Sequence, residues 1–390
     1  MYMAQEKEIQ LNNYIMVDTN PMGRSQEITE FEKDFIVKYF KNVFPEISKN
    51  SMEIELIDSN FFYESYSLIF QDKKFLFKVS FDISNGKLET EHKALKEVGD
   101  MFAPSIILYK TDETNNIAIL LTTWENGLSF DSYGTEDLIY NIGTFSAVLD
   151  AVHESSSTQM QSFKDRFLQN ESILSAVENE DPKELKIFEK LIDLDISGIS
   201  DIFTKIREEF IDKYEEDIPV LCHSNLKKSN ILYQEGLLKL INFENSHTAD
   251  IYYSLLKAIN NLELYTDSKY VRSFLIKYHE FSKILGDLTL EDFMNRFEEK
   301  KEINRMLIFQ DLLHKTLFHF FAYGAFYRTA NLCDYMAIYL NLRPTLEKFL
   351  PEYIVSLDKL FLTPLQSVKT YDEEELNILA SMAEEAKESE

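Results

Sequence analysis

The residues with the clearest chemical signature are a lysine and a glutamate in apolar surroundings. Lys78 interrupts the apolar run FLFKVSF, and Glu91 falls in step with Leu88 and Leu95 in the segment that follows. A lysine in a buried strand needs an opposite charge, and positions three or four residues apart share one face of a helix. The sequence therefore predicts a buried Lys78–Glu91 ion pair between a strand and the next helix. The alternative is an edge-strand lysine and a solvated glutamate.

A polar loop further along the chain carries side chains that can bind protons, anions or metal ions. His223, Asn225, Lys227 and Asn230 lie in the run HSNLKKSN. An amide oxygen accepts hydrogen bonds and can ligate Mg²⁺, but it brings no negative charge to the ion, and an amide nitrogen cannot take up a proton. Lys227 is either an anion-binding group or a solvated lysine, and His223 is expected to brace the loop rather than to act as a base.

Two further polar residues, Asn242 and Glu244, follow this loop after a predicted hairpin. The hairpin is formed by ILYQEGLLKLINF, with its turn at Glu235-Gly236. Glu244 is either a metal ligand, whose carboxylate would supply the charge that the amides lack, or a residue on the surface or facing a substrate.

The elements that must position these residues begin with a helix and a β-rich segment. An amphipathic helix is predicted from Ser25, ending at Pro45, and three aromatic and β-branched runs then predict strands. One helix closed by Gly99 and two more strands follow. The apolar stripe of the first helix is Ile28, Phe31, Phe35, Ile36 and Tyr39. The strands and the second helix are predicted at 53–60, 62–71, 73–81, 87–99, 105–109 and 117–122, with a tight turn at Asp72-Lys73.

From Trp124 onwards the pattern is mostly helical, apart from the strands around the polar loop. One apolar stripe at helical spacing is Ile199, Ile202, Phe203, Ile206, Phe210 and Tyr214. The expected fold class is α+β, with a small antiparallel β lobe and a large helical lobe. The predicted divisions are an arm at 1–24, a β-rich lobe at 25–124, a helical lobe at 125–365 with the hairpin 218–244, and an acidic helix or tail at 366–390.

In this order and spacing the chain resembles the aminoglycoside phosphotransferases and choline kinases, which share the protein-kinase fold. Their catalytic loop has the pattern His-x-Asp-x-x-x-x-Asn, matched here by His223 and Asn230, and a hairpin leads from it to an Asp-Phe metal site, matched by Asn242-Phe243. The resemblance covers roughly residues 50–260. It implies ATP and Mg²⁺ as cofactors, with the phosphates held by the lysine–glutamate pair. By resemblance, Lys78, Glu91, Ser59, Thr122 and Trp124 lie on the nucleotide side, and Asn230, Asn242 and Glu244 on the metal side.

The chain also departs from the family pattern. Asn225 stands where the family has its catalytic aspartate, and Asn242 stands where it has its metal-binding aspartate. No glycine occurs between Gly23 and Gly86, although the family places glycines in a phosphate loop there. The corresponding stretch, 58–63, carries aromatic residues expected to crowd a nucleotide. Binding of ATP and Mg²⁺ is therefore expected to be weak or absent. Ala249-Asp250 and Ser254 replace a Gly-Asp pair and a buried aspartate of the family.

Composition narrows the function classes. The formal net charge of −27 argues against binding to nucleic acid or to an anionic membrane surface, and it suits a cationic small molecule or peptide. The two cysteines do not form a Cys-x-x-Cys pair, the N-terminus lacks the pattern of a signal peptide, and no apolar run is long enough to span a bilayer. The expected location is the cytoplasm.

Three hypotheses remain open at this point. The first is a catalytically impaired kinase fold, a pseudokinase that binds a partner protein or a ligand. The second is an active phosphotransferase that uses ATP and Mg²⁺ on a small-molecule or peptide hydroxyl, with Glu244 and Asp250 rescuing metal binding. The third is an unrelated helical interaction protein.

Overall fold

A computed structural model describes residues 28–362, except for 61, 131–139, 156–159, 172, 176–188, 190–194, 235 and 324–331. The predicted arm at 1–24 and the predicted acidic helix or tail at 366–390 lie outside the described residues. Within them, no helix is both long and apolar enough to cross a membrane.

A five-stranded antiparallel sheet forms the first lobe and confirms the predicted strands. Its strand order is β1-β2-β3-β5-β4. The turn between β2 and β3 lies one residue earlier than predicted. Gln71 and Asp72 have φ angles of 50° and 61°, and Phe70 pairs with Lys73, as in a two-residue hairpin whose central residues both have positive φ. The strands are β1 Glu53–Ser59, β2 Glu64–Phe70, β3 Lys73–Ser80, β4 Ile106–Asp112 and β5 Ile117–Thr123.

Two helices accompany this sheet. Helix α1, Glu30–Phe40, begins after a capping box formed by Thr29 and Glu32, so it is shorter than predicted. Phe31 is 67% exposed, and its predicted place on the apolar stripe is wrong, because the helix has only begun there and turns this residue to solvent. Helix α2, Lys87–Val98, confirms the prediction and ends at Gly99, whose φ is 78°.

The second lobe is mainly helical, which confirms the two-lobed α+β class. The predicted stripe from Ile199 to Tyr214 is buried throughout, and α5 continues into a π-helical turn at Arg207–Ile211. The helices are α3 Ile142–Glu154, α4 Phe163–Asn170, α5 Ile196–Ile206, α6 Ile251–Asn261, α7 Ser268–Phe281, α8 Leu290–Tyr323, α9 Leu332–Phe349 and α10 Ile354–Leu362.

Two small sheets hold the polar loop in the second lobe. Strands β7, Pro219–Cys222, and β10, His247–Asp250, pair antiparallel on either side of residues 223–246. Between them lies the predicted hairpin, in which β8, Ile231–Gln234, pairs with β9, Leu237–Leu240. Strand β6, Leu128–Ser129, joins this hairpin to the end of the first lobe. The loop is thus tied at both ends and in its middle, so its side chains have fixed positions.

The connection between the lobes runs close to the hairpin. A Cβ atom on Gly127 would lie 3.1 Å from Leu232 Cβ and 3.3 Å from the carbonyl oxygen of Tyr233. A larger residue would force β6 away from β8, so this position favours glycine. The boundary between the lobes at residue 124 stays a prediction.

Candidate functional site

The predicted ion pair between β3 and α2 is present and buried. Lys78 Nζ lies 2.9 and 2.8 Å from the two carboxylate oxygens of Glu91, and both residues are 3% exposed. Strand β3 supplies the lysine because position 78 faces inward, and α2 supplies the glutamate from its apolar face. Tyr63 lies beside the pair, with its ring centre 4.9 Å from Lys78 Nζ. The pair satisfies both charges away from water.

A chain of amides continues from this lysine into the polar loop. Lys78 Nζ donates to Asn242 Oδ1 at 3.1 Å, and Asn242 Nδ2 donates to Asn230 Oδ1 at 2.7 Å. An ammonium group is donor-only, so it fixes Asn242 with the oxygen towards Lys78 and the nitrogen towards Asn230. Asn230 Nδ2 then donates to the backbone oxygen of Asn225 at 2.7 Å. The structure thus brings Lys78, Asn242 and Asn230 together, as the sequence spacing predicts.

The backbone of Asn242 has the unusual conformation that this position requires. Its φ angle is 63°, in the left-handed region that asparagine and aspartate tolerate better than most residues. The chain leaves β9 and turns so that the Asn242 side chain points back towards the first lobe. Aspartate could occupy the same conformation without a change in the backbone.

His223 braces the polar loop through both ring nitrogens. Nε2 lies 2.9 Å from the backbone oxygen of Ile241, and Nδ1 accepts from the backbone N–H of Asn225 at 3.3 Å. This pattern requires the neutral tautomer with the proton on Nε2. Burial lowers the pKa of His223 to about 4, so the ring remains neutral at physiological pH. It therefore orients the loop and has no free nitrogen for proton transfer.

Asn225, which the sequence resemblance aligns with a catalytic base, is hydrogen-bonded to Glu244. Asn225 Nδ2 donates to Glu244 Oε1 at 3.0 Å, and Asn245 Nδ2 donates to the same oxygen at 3.1 Å. Glu244 Oε2 is buried without a hydrogen-bond partner among the described residues. Burial raises the pKa of the Glu244 carboxyl. Lys87, whose side chain is half-buried, donates from Nζ to Asn245 Oδ1 at 2.7 Å, and desolvation lowers the pKa of Lys87 to about 8.

A cavity of about 740 Å³ lies beside the Lys78–Glu91 pair, and both residues line it. Thr122 and Trp124 line it, whereas Ser59 is buried at the end of β1 and is not among the lining residues. That these residues bind a nucleotide stays a prediction. Thr122 Oγ1 is buried and has no hydrogen-bond partner among the described residues. The volume lies within the usual range of ligand pockets, about 300–1,000 Å³.

Contrary to the expectation, the described aromatic residues of the stretch 58–63, Phe62 and Tyr63, do not fill this cavity. Phe62 instead stacks on Phe318 of α8, with ring centres 5.2 Å apart, and so joins the two lobes. Tyr63 lines the cavity without closing it. Phe61 lies outside the described residues.

A smaller pocket of about 280 Å³ lies on the other side of the polar loop, where Asn225 and Lys227 face helices α6, α8 and α9. Sequence reasoning missed its main polar residues, Lys257 and Asp311. The signal was present, because each interrupts an apolar run, IYYSLLKAI and LIFQDLL, as Lys78 does. Lys257 Nζ contacts Asp311 Oδ2 at 2.6 Å and Ser224 Oγ at 2.8 Å.

Asp250, Ser254 and His153 have structural roles. Asp250 caps the N-terminus of α6 by accepting from the N–H of Tyr252 at 2.8 Å, and it also pairs with Lys300 at 3.0 Å. The hypothesis that Asp250 rescues a metal site is therefore wrong, because its oxygens are used elsewhere. His153 is buried at the end of α3 and contacts Ser254 Oγ at 2.9 Å.

The side chains around Asn242 do not fit Mg²⁺. The amide oxygen of Asn242 accepts from an ammonium group and that of Asn230 accepts from an amide. A metal ion would compete with these donors, would be repelled by Lys78, and would gain no carboxylate from either residue. The described residues contain no group of three or more His, Cys, Asp and Glu side chains placed to hold a metal ion.

The fold itself has clear relatives among solved structures. The chain is similar to an ethanolamine kinase of Plasmodium vivax, with a TM-score of 0.56 and 14% identity over 80% of this chain and 88% of that one. It is also similar to a choline kinase of Cryptosporidium parvum, with a TM-score of 0.55 and 12% identity over 84% and 99% of the two chains. A spectinomycin phosphotransferase solved with ADP and spectinomycin gives a TM-score of 0.53 and 13% identity over 85% and 98%.

These comparisons establish the fold. The chain has the two-lobed fold of choline kinases and aminoglycoside phosphotransferases, as the sequence resemblance implies. No protein-family model and no curated protein sequence matches it.

Proposed function

We propose that this chain is a catalytically impaired kinase-fold protein, a pseudokinase, that acts by binding a partner protein or a ligand. The observation that carries the proposal is the hydrogen bond from Asn242 Nδ2 to Asn230 Oδ1. An ionised aspartate at position 242 has no proton to donate and would leave this bond unmade. The amide thus links two positions that would otherwise share a metal ion.

The position of the catalytic base supports the same conclusion. An amide cannot accept the proton of a substrate hydroxyl. Asn225 Nδ2 donates a hydrogen bond to Glu244, which an ionised aspartate at position 225 could not do. Phosphoryl transfer depends on positioning and on charge stabilisation, and this cleft supplies the positioning without the metal charge.

The active-phosphotransferase alternative loses its main supports. Asp250 lies at the start of α6, where it caps the helix and pairs with Lys300. Glu244 Oε1 already accepts from the side-chain amides of Asn225 and Asn245. The retained cavity beside Trp124 supports ligand binding without Mg²⁺, so nucleotide binding is expected to be weak and independent of the metal. We extend the proposal to a cytoplasmic location, which suits the free thiol of buried Cys222.

Calorimetric titration with ATP, with and without Mg²⁺, tests this proposal together with an ATP-turnover assay. The wild type is expected to show no Mg²⁺-dependent binding and no turnover. The double variant Asn225→Asp, Asn242→Asp is expected to gain Mg²⁺-dependent nucleotide binding, because it restores two carboxylates. Asn50→Asp, at an exposed position, controls for added charge. Wild-type turnover that disappears in Asn225→Ala would sink the proposal.

A further inference from the structure

A cluster of basic side chains surrounds one carboxylate beside the smaller pocket, which Lys257, Asp311 and Lys315 line. Asp311 contacts three cations: Lys257 at 2.6 Å, Lys315 at 3.2 Å and Arg166 at 3.1 Å. These residues come from three helices, α6, α8 and α4. Asp311 and Lys257 are almost fully buried, so the cluster lies in a medium where charge imbalance is costly.

The positive charge of this cluster exceeds its negative charge. Among the described residues, Asp311 is the one carboxylate within ion-pair distance of Lys257, Lys315 or Arg166. Three cations on one carboxylate leave a surplus of two positive charges. Arg166 Nε is in addition buried without a hydrogen-bond partner in this part of the structure. The cluster therefore has the charge to attract a second anion, and Lys315, which lines the pocket and uses one donor on Asp311, can hold it by a hydrogen bond.

The rest of the pocket suits a small organic molecule. Lys227 and Lys228 lie at the loop side, where Lys228 pairs with Glu263 at 2.6 Å. Ile308 and Leu312 of α8 provide an apolar wall. A volume of about 280 Å³ accommodates an anionic group with a short apolar body.

We propose that this pocket binds the phosphate or carboxylate group of a small organic anion, which accepts a hydrogen bond from Lys315 and is attracted by the charge of Lys257, with its apolar part against Ile308 and Leu312. The three N–H donors of Lys257 are already used by Asp311, Ser224 and Tyr253. The proposed ligand is an anion, whereas the net charge of −27 by itself suggests a cationic ligand. A cation here would meet the surplus positive charge, whereas an anion would neutralise it.

This inference rests on the proposed ligand-binding role and specifies the chemistry of the ligand. Failure of this inference is distinguishable from failure of the pseudokinase proposal, because the two are tested by different measurements. Anion binding without nucleotide tests the pocket, and Mg²⁺-dependent nucleotide binding and turnover test the pseudokinase proposal. If the pocket bound no anion, the results for nucleotide binding and turnover would be unchanged.

The test uses three probes of similar shape and different charge. Phenyl phosphate, benzoate and phenyltrimethylammonium are titrated calorimetrically into the whole chain without nucleotide. Phenyl phosphate is expected to bind most tightly, benzoate next, and the cation not measurably. The phosphate and carboxylate arms identify which anionic group the site prefers.

Two variants on helix α8 locate the binding. Lys315→Gln is expected to weaken phenyl phosphate binding about tenfold or more, the size expected for one charged hydrogen bond, and Lys315→Arg is expected to retain it. Lys301→Gln is the matched control, because Lys301 lies about 21 Å along the same helix and pairs with Glu298 at the surface. Thermal melts confirm that each variant folds.

Two outcomes would overturn the inference. One is equal or tighter binding of the cation. The other is phenyl phosphate affinity that is unchanged in a folded Lys315→Gln variant, which would place the anion elsewhere.

Discussion

The two sides of the cleft handle buried charge in opposite ways. On the side of the larger cavity, Lys78 is paired with Glu91 and donates to the amide oxygen of Asn242, and Asn242 in turn donates to Asn230. On the other side, Asp311 is shared by three cations. The first arrangement is complete in itself and needs no ion, whereas the second has capacity for one more anion. The two regions therefore differ in net charge, because the ion pair of the first is neutral and the cluster of the second is positive.

The largest expected effect comes from breaking the buried Lys78–Glu91 ion pair. Lys78→Met leaves Glu91 buried without a counter-charge and Asn242 Oδ1 without its donor, so the free energy of unfolding should fall by about 3–5 kcal/mol. Lys93→Met, which breaks the exposed Lys93–Glu89 pair on α2, is the control and should cost less than about 1 kcal/mol. Urea denaturation measures both. Equal small losses would show that the Lys78–Glu91 pair is not desolvated.

A somewhat smaller effect is expected from removing the carboxylate of Asp311. Asp311→Asn removes the single counter-charge of the cluster, and we expect a loss of about 3 kcal/mol, partly restored by phenyl phosphate. The three cations hold the pKa of Asp311 well below its ordinary value of 3.8. Its contribution to stability is therefore complete above that value and is lost as the pH falls below it.

Acid titration of stability separates this cause from general acid unfolding. Between pH 5 and pH 2 the wild type should lose more stability than Asp311→Asn, because the variant has no carboxylate to protonate at that position. Parallel acid profiles, or no recovery of the variant with phenyl phosphate, would contradict the surplus of positive charge.

The smallest effect concerns Glu244, which lies between the two sides. Burial raises the pKa of its carboxyl, so the ionised form destabilises the folded state above the folded pKa, and this cost disappears as the pH falls below it. Glu244→Gln should therefore raise the free energy of unfolding at pH 8 and change it little at pH 4. Glu113→Gln, in the exposed turn between β4 and β5, is the control. Destabilisation at pH 8 would show that Glu244 is needed as an anion.

The sequence was most informative where the chemistry is local. Lys78 stands out in an apolar strand, Glu91 follows the helical period of its neighbours, and the spacing from His223 to Asn230 is a fixed loop pattern. Each of these depends on a short stretch of chain whose geometry is set by a strand, a helix or a tied loop. The fold class and the lysine–glutamate pair could therefore be predicted.

Contacts between distant segments could not be predicted in this way. Asp311 meets Lys257 and Arg166 across 54 and 145 positions of sequence, and no period links such residues. The capping role of Asp250 was missed because its position suggested a family motif, while the start of α6 decides its use. The hydrogen bond between Asn242 and Asn230 depends on a left-handed backbone at position 242 that the sequence pattern does not specify.

Trp124 gives the molecule an internal optical reporter. It is the single tryptophan of the chain, it lines the larger cavity, and Lys74 Nζ lies 3.7 Å from its ring centre. Its fluorescence depends on that cavity, so a molecule entering there should change the emission without any added label. No tryptophan lines the smaller pocket, so binding there should be detected by calorimetry but should hardly change the fluorescence. The two binding events can therefore be followed separately in one sample.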